Sequence, residues 1–131
     1  MSQIEKRSFD CLENYGKAIF PKIAALFGDE STSDIILEVN NVEYHVHKLI
    51  LRICPSVVFN EWCQNTDESN HKKERITLQE SDDCAQVFGD FLKYIYTGKI
   101  DLCQDSVDAI ISLADKYDVQ ELVKILSLIH I

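Results

Sequence analysis

The sequence predicts a small α+β domain, with a three- to four-stranded sheet and a cluster of about five to six helices. Three observations carry this. Two runs of alternating apolar and polar residues stand on either side of a two-residue turn. Helix-periodic stretches surround them, most with a recognisable start or stop signal. The chain has 131 residues, 46% of them hydrophobic, which suffices for one domain with one core and excludes a disordered chain.

The hairpin comes first in the argument. Ile35, Leu37 and Val39 alternate with Ile36 and Glu38, and Val42, Tyr44 and Val46 alternate with Glu43 and His45. Asn40-Asn41 lies between them, and asparagine accepts the positive φ that a type I′ turn requires at both central positions. A two-residue turn pairs Val39 with Val42, Leu37 with Tyr44 and Ile35 with Val46, placing all six on one face. The other face sets Glu38 against Glu43, a like-charge pair that needs open solvent or a basic partner.

Taken in order, the chain opens with a frayed stretch over residues 1–8. From about Phe9 to Phe27, Leu12, Tyr15, Ile19, Ile23, Leu26 and Phe27 recur at helical spacing. Pro21 either kinks this helix or begins a new one, and Gly28 is placed to cap its end. The helix is more apolar than a small hairpin domain can cover, so it packs either into the core or on another chain. After the hairpin, His47 to Ile53 reads as a short helix with Leu49, Ile50 and Ile53 inward. Pro55 suits the first turn of the next helix, which carries Val58, Phe59 and Trp62. Gln64 to Lys73 is a polar loop, and Arg75-Ile76-Thr77-Leu78 a third strand. Ser81 starts a helix that runs to about Tyr96 and ends at Thr97-Gly98. Ile100 and Leu102 offer a fourth strand fragment. Asp105 or Ser106 caps a helix striped by Ile110, Ile111, Ala114 and Tyr117. Asp118 with Glu121 begins the last helix, with Leu122, Ile125 and Leu126 inward.

Bulk properties narrow the chemistry. A formal charge of −9 repels phosphate backbones, so nucleic acid is a poor partner for this domain. No apolar run is long enough to span a bilayer, and the N-terminus does not read as a signal peptide. The five cysteines are odd in number and form no C-x-x-C pair, which fits reduced thiols in a cytoplasmic or nuclear protein. His45, His47, Cys54, Cys63 and His71 match no metal-ligand spacing, and no phosphate-binding glycine loop is present. His47 reads as a partly buried structural histidine bonded to nearby backbone. Trp62 reads as core or groove lining. No catalytic, cofactor-binding or metal residue is assigned.

Four segments together resemble the BTB/POZ family. They are Asp34-Ile35 opening the first strand, then Val46-His47-Lys48-Leu49-Ile50-Leu51, then Phe91-Leu92-Lys93-Tyr94-Ile95-Tyr96-Thr97-Gly98, then Ala114-Asp115-Lys116-Tyr117-Asp118-Val119. They stand in the family's order and spacing over roughly residues 33–126. The chain is most similar to members in which a further helical region follows, and the expectation is that residues 29–131 form the BTB/POZ core, cut before that region. The resemblance implies that residues 1–28 are a helical dimerisation segment, in which Leu12, Tyr15, Ile19, Ile23 and Leu26 meet a second copy. It also implies a place near the dimer groove for Asp34 and Lys48; the plain alternative is a capping Asp34 and a solvated Lys48.

Two departures from the family pattern stand out. Many members carry a serine followed three residues on by phenylalanine in the second helix, where this chain is read as Pro55 and Val58, with Phe59 one residue late. Members that recruit cullin-3 carry a hydrophobic-x-acidic motif in the following loop. The nearest match is Thr66-Asp67-Glu68, whose threonine is a poor filler for an apolar pocket. With Tyr117, these are the candidate cullin-docking residues. The resemblance thus implies a non-enzymatic, homodimerising adaptor that recruits cullin-3 for substrate ubiquitination. The alternative is a dimerisation domain that recruits co-regulators for a transcriptional or chromatin regulator. An enzyme using a cysteine thiolate is a third reading.

Overall fold

The computed structural model describes residues 7–64 and 73–129. Helix α1 (Leu12–Ala24) leads into a hairpin of β1 (Ile35–Val39) and β2 (Val42–Val46). Helices α2 (Lys48–Ile53) and α3 (Val57–Cys63) then precede β3 (Glu74–Leu78), and α4 (Asp82–Thr97), α5 (Val107–Lys116) and α6 (Gln120–Ile129) complete the chain. The sheet order is β2-β1-β3. β1 pairs antiparallel with β2 and parallel with β3, and the crossover that a parallel pair needs is supplied by α2 and α3. This is the α+β arrangement the sequence predicts. The expected fourth strand at Ile100 and Leu102 does not form; both lie in irregular backbone, with partly buried side chains packed on the core.

The hairpin register is the predicted one, with Ile35 opposite Val46, Leu37 opposite Tyr44 and Val39 opposite Val42. Asn40 (φ 48°) and Asn41 (φ 71°) both adopt the left-handed conformation of the turn. Ile35, Leu37, Val39 and Val46 are fully buried, whereas Val42, at the turn, is exposed. The Glu38–Glu43 pair has its basic partner within the chain. Arg75 of β3 lies beside it and donates through Nη1 to Glu38 Oε2 at 2.8 Å and to Glu43 Oε1 at 2.7 Å. Two carboxylates that repel one another are thereby held by a single guanidinium, which also joins the two outer strands across β1.

The core side of β1 packs against a layer built from Phe59, Phe88, Phe91, Leu92, Ile110, Leu113, Leu122 and Leu126, all within 1% of complete burial. The helix ends follow local chemistry. Ser81 Oγ accepts from Cys84 N at 3.3 Å at the start of α4, and Gly98 at φ 72° closes it. Asp118, at φ 60°, turns the chain from α5 into α6.

Three expectations need correction. Leu49 and Ile53 do not face inward; Ile50 and Leu51 do, and Leu49 and Ile53 are exposed. A six-residue helix spans under two turns, so its periodicity leaves the buried face undecided by one position. Pro55 does not enter the first turn of α3, because Ser56 is the N-cap, its Oγ accepting from Phe59 N at 3.1 Å. Within α3 a serine and a phenylalanine three residues on are thus joined directly, as Ser56 at the cap and Phe59 in the first turn. Finally, Ile125 is half-exposed on α6, while Leu122 and Leu126 are buried as expected.

Candidate interaction surface

Among the described residues, helix α1 is joined to the core chiefly through its C-terminal end and the turn that follows it. Ile23, Leu26 and Phe27 pack against the core, and the Phe27 ring meets Tyr96 of α4 edge-on at 5.4 Å between centroids. Towards its N-terminus the helix turns apolar side chains to solvent: Leu12 is 70% exposed, Tyr15 61% and Phe20 64%, with Phe9 just before it 78%. Pro21 sits inside the helix instead of ending it, and α1 runs on to Ala24. Gly16, otherwise costly in mid-helix, lies under the Phe20 ring; a Cβ there would stand 3.1 Å from it.

The five sequence-predicted residues, four in α1 and Leu26 just after it, thus divide. Leu12 and Tyr15 present free apolar surface, Ile19 is half-buried, and Ile23 and Leu26 are engaged by their own domain. Beside this helix runs an apolar cleft of about 440 Å³, lined by Phe20 and Ile23 of α1, Ile50 and Ile53 of α2, and Tyr94 and Ile95 of α4. Phe20, Leu49 and Ile53 were not among the predicted surface residues. A phenylalanine at the end of an apolar stripe and an i, i+4 leucine–isoleucine pair were the available signals, but a stripe does not say which of its sides is covered.

Asp34 and Lys48 come together at the other side of the hairpin. Asp34 Oδ1 accepts from the Lys48 backbone N–H at 2.8 Å, satisfying the first open donor of α2. The Lys48 ammonium pairs with Glu74 of β3 at 3.0 Å, with both side chains mostly buried. Asp34 therefore caps a helix, though a different element from the strand turn the sequence suggested.

Next to this pair lies His47, which is buried but bonds hydroxyls, not backbone carbonyls. Its Nδ1 is 2.6 Å from the Tyr96 hydroxyl and its Nε2 is 2.8 Å from Thr32 Oγ1. Its backbone N–H donates to the same Tyr96 oxygen at 2.9 Å. Burial pushes the His47 pKa down, against the pull of Asp34 and Asp29, and pushes the Tyr96 phenol well up.

Of the candidate docking residues, Thr66, Asp67 and Glu68 lie outside the described residues. Tyr117 is 3% exposed. Its ring stands among Phe59, Trp62, Phe88 and Phe91, and its hydroxyl donates to Glu80. Little of it is available to a partner. Trp62 is half-buried against Phe59, as core lining.

The cysteine thiols give no poised nucleophile in a cleft. Burial raises Cys63, and raises Cys54, on the rim of the apolar cleft, to about 11. Cys103 moves the other way, lowered by hydrogen bonding with Ser106, but it sits in an exposed loop. Among the described residues, no group of three or more His, Cys, Asp or Glu side chains could hold a metal ion, and no helix is long and apolar enough to cross a membrane.

An apolar first helix beside a three-stranded sheet with a helical cluster is a combination that comparison with known proteins identifies. The profile of the BTB/POZ domain matches residues 23–129. This chain belongs to the BTB/POZ family. Human BTB/POZ domain-containing protein 17 is 30% identical over 115 residues, covering 83% of this chain and 22% of its own length. Kelch-like protein 40 of Xenopus tropicalis is 30% identical over 86 residues, covering 66% of this chain and 13% of its own. The BTB domain of human gigaxonin superposes with a TM-score of 0.73 at 19% identity, covering 98% of this chain and 99% of that one. The chain thus spans about a fifth of the length of the first of these curated relatives. The BTB/POZ fold is a protein–protein interaction module, and that is the general role of this domain.

Proposed function

We propose that this BTB/POZ domain self-associates through residues 1–28 and that residues 29–131 form the core that positions this segment and presents a second surface to another protein. The observation that carries the reading is the apolar side of α1, where Leu12, Tyr15 and Phe20 are largely exposed on a helix whose C-terminal end packs on the core. A two-fold pair would bury this side on both copies at once. Leu12, Tyr15 and Ile19 supply the contact, Ile23 and Leu26 fix the helix to its own core, and Asp34 and Lys48 border the groove. Cullin-3 is the partner we would test first, through the segment around Thr66, Asp67 and Glu68, which would make the parent protein a ubiquitin-ligase adaptor. Five cysteines without a disulfide among them suit a cytoplasmic or nuclear setting.

Sedimentation equilibrium at micromolar concentration tests self-association: the expected mass is about twice the 15.0 kDa of the chain. Re-exposing the free surface of Leu12 costs about 1–2 kcal/mol per copy. L12D therefore loses about 2–4 kcal/mol over two copies before any charge repulsion, or roughly 30- to 700-fold in the dissociation constant. A strict monomer in the native protein, or an L12D dimer as tight as the native one, refutes the assignment. Calorimetric titration with the cullin-3 N-terminal region tests the second surface. No heat from a folded dimer would turn the reading to a co-regulator-recruiting domain.

A further inference from the structure

In the order β2-β1-β3, β2 is an edge of the sheet. The Asn40-Asn41 turn makes Val39 and Val42 a hydrogen-bonded pair, and such pairs recur at every second residue. Val42, Tyr44 and Val46 thus turn their N–H and C=O groups towards β1. Asn40 N, which donates to Leu78 O of β3 at 3.4 Å, keeps the same alternation on β1. The N–H and C=O of Glu43 and His45 therefore point away from the sheet, and among the described residues no backbone group meets them. Two donors and two acceptors in a row are a template for an added strand. A second cleft, of about 440 Å³, adjoins this edge. Glu43, Tyr44 and His45 line it together with Phe27 after α1 and with Gly89, Asp90 and Lys93 of α4. Tyr44 lies on the α4 side, its ring 5.4 Å from that of Phe88. Gly89 leaves room there, since a Cβ at this position would already stand 3.5 Å from the Tyr44 ring.

We propose that the β2 edge takes up an extended segment of another protein, antiparallel to β2, with cationic residues opposite Glu43 and His45 and an apolar residue opposite Tyr44. An added strand repeats the alternation of its neighbour. The residue opposite Tyr44 turns to the α4 side, into the space that Gly89 leaves beside Phe27. Residues opposite Glu43 and His45 turn to the outer face of the sheet, which is acidic. There Glu38 and Glu43 share one guanidinium, that of Arg75, and Glu30 Oε1 stands 4.0 Å from His45 Nε2. Lys73 lies on the Glu30 carbonyl, and Asp90 in the cleft is set against Lys93. Four carboxylates thus meet three cations, in a chain whose formal charge is −9. That field draws a cationic strand and repels an acidic one. The surface uses neither the apolar side of α1 nor the segment around Thr66, so it stands or falls separately from the self-association proposed above.

The probe is a seven-residue peptide in which lysine alternates with valine and phenylalanine takes the central position. Its binding to the whole chain is measured by calorimetry, and hydrogen exchange by NMR is followed at the amides of Glu43 and His45. Saturating peptide should slow exchange at both amides, while Tyr44, already bonded to β1, should change little. The same peptide N-methylated at the two lysines flanking phenylalanine keeps its charge but loses two donors, and should bind roughly tenfold or more weakly. A counterpart with glutamate for lysine should also lose roughly tenfold or more. Proline at an edge position whose N–H faces outward removes no ladder bond. E43P should therefore fold and bind roughly two- to tenfold more weakly than E43Q, which lacks the same charge but keeps the N–H. L12D should bind as the native chain does. Equal binding of the N-methylated or the glutamate peptide, unchanged exchange at Glu43 and His45, or loss of binding in L12D overturns the proposal. Slow exchange at both amides without peptide means that the edge is already paired, and also overturns it. If E43P does not fold, the N-methylated peptide on the native chain decides the matter.

Discussion

Replacing Ser56 by alanine removes two bonds at a point where three helices meet. Ser56 is 1% exposed. Its Oγ accepts from Phe59 N at 3.1 Å, capping α3, and donates to the Tyr117 carbonyl at 2.5 Å, where α5 ends. The next residue continues the join, since Val57 N donates to Asp118 Oδ2 at 3.0 Å. Loss of an N-cap costs about 0.5–2 kcal/mol. Depriving a buried carbonyl of its donor costs about 1–3 kcal/mol more. The sum for S56A is roughly 1.5–5 kcal/mol, with little added by cavity formation because only one oxygen is removed. Ser81 supplies the control: it caps α4 through Cys84 N at 3.3 Å but is exposed and serves no second element. S81A should lose only the capping part, about 0.5–1 kcal/mol. Urea unfolding at one fixed protein concentration measures both. With a slope of about 2 kcal/mol per molar, the S56A midpoint should fall by about 0.75–2.5 M. Equal losses in S56A and S81A would show that the Tyr117 bond contributes nothing, and the argument from burial would fail.

Two further outcomes follow from the charges and thiols. Arg75 holds the Glu43 carboxyl below its ordinary value, so the stability this contact contributes is present above about pH 4.5 and fades as pH falls through the lowered value. R75Q should therefore be less stable than the native chain at pH 7, and the two unfolding midpoints should converge below pH 4; a constant difference down to pH 3 would count against the bridge. Among the cysteines, Cys103 should alkylate well before Cys54 at pH 8, since a thiol held near 11 is only about a thousandth ionised there. Peptide mapping after timed iodoacetamide treatment gives the order, and faster labelling of Cys54 would show that the cleft opens.

The hairpin, its register and most helix ends were legible in the sequence because they rest on neighbours a few residues apart. Period-two alternation, Asn40-Asn41, Ser81 and Gly98 each act within one turn or one strand pair, so a local pattern contains the whole cause. The same reasoning failed where an element was short: α2 has six residues, and nothing in its own sequence distinguishes Leu51 from Leu49 as the buried leucine. The apolar excess of α1 was visible, but not its division into an anchored end and a free end. That depends on where α4 passes, and on Tyr96 meeting Phe27.

What the amino-acid sequence determined by itself is thus the class of fold, the family motifs and an apolar first helix in excess of what its own domain can cover. The tertiary structure alone decided the rest. Arg75 reaches Glu38 and Glu43 only because β3 pairs in parallel beside β1, 37 and 32 residues away along the chain. His47 finds Tyr96 across 49 residues, and Ser56 finds Tyr117 across 61. Such contacts depend on the crossing of whole elements, which packing of the core sets, and no local periodicity encodes the distance between two helices that meet only after the chain has closed on itself.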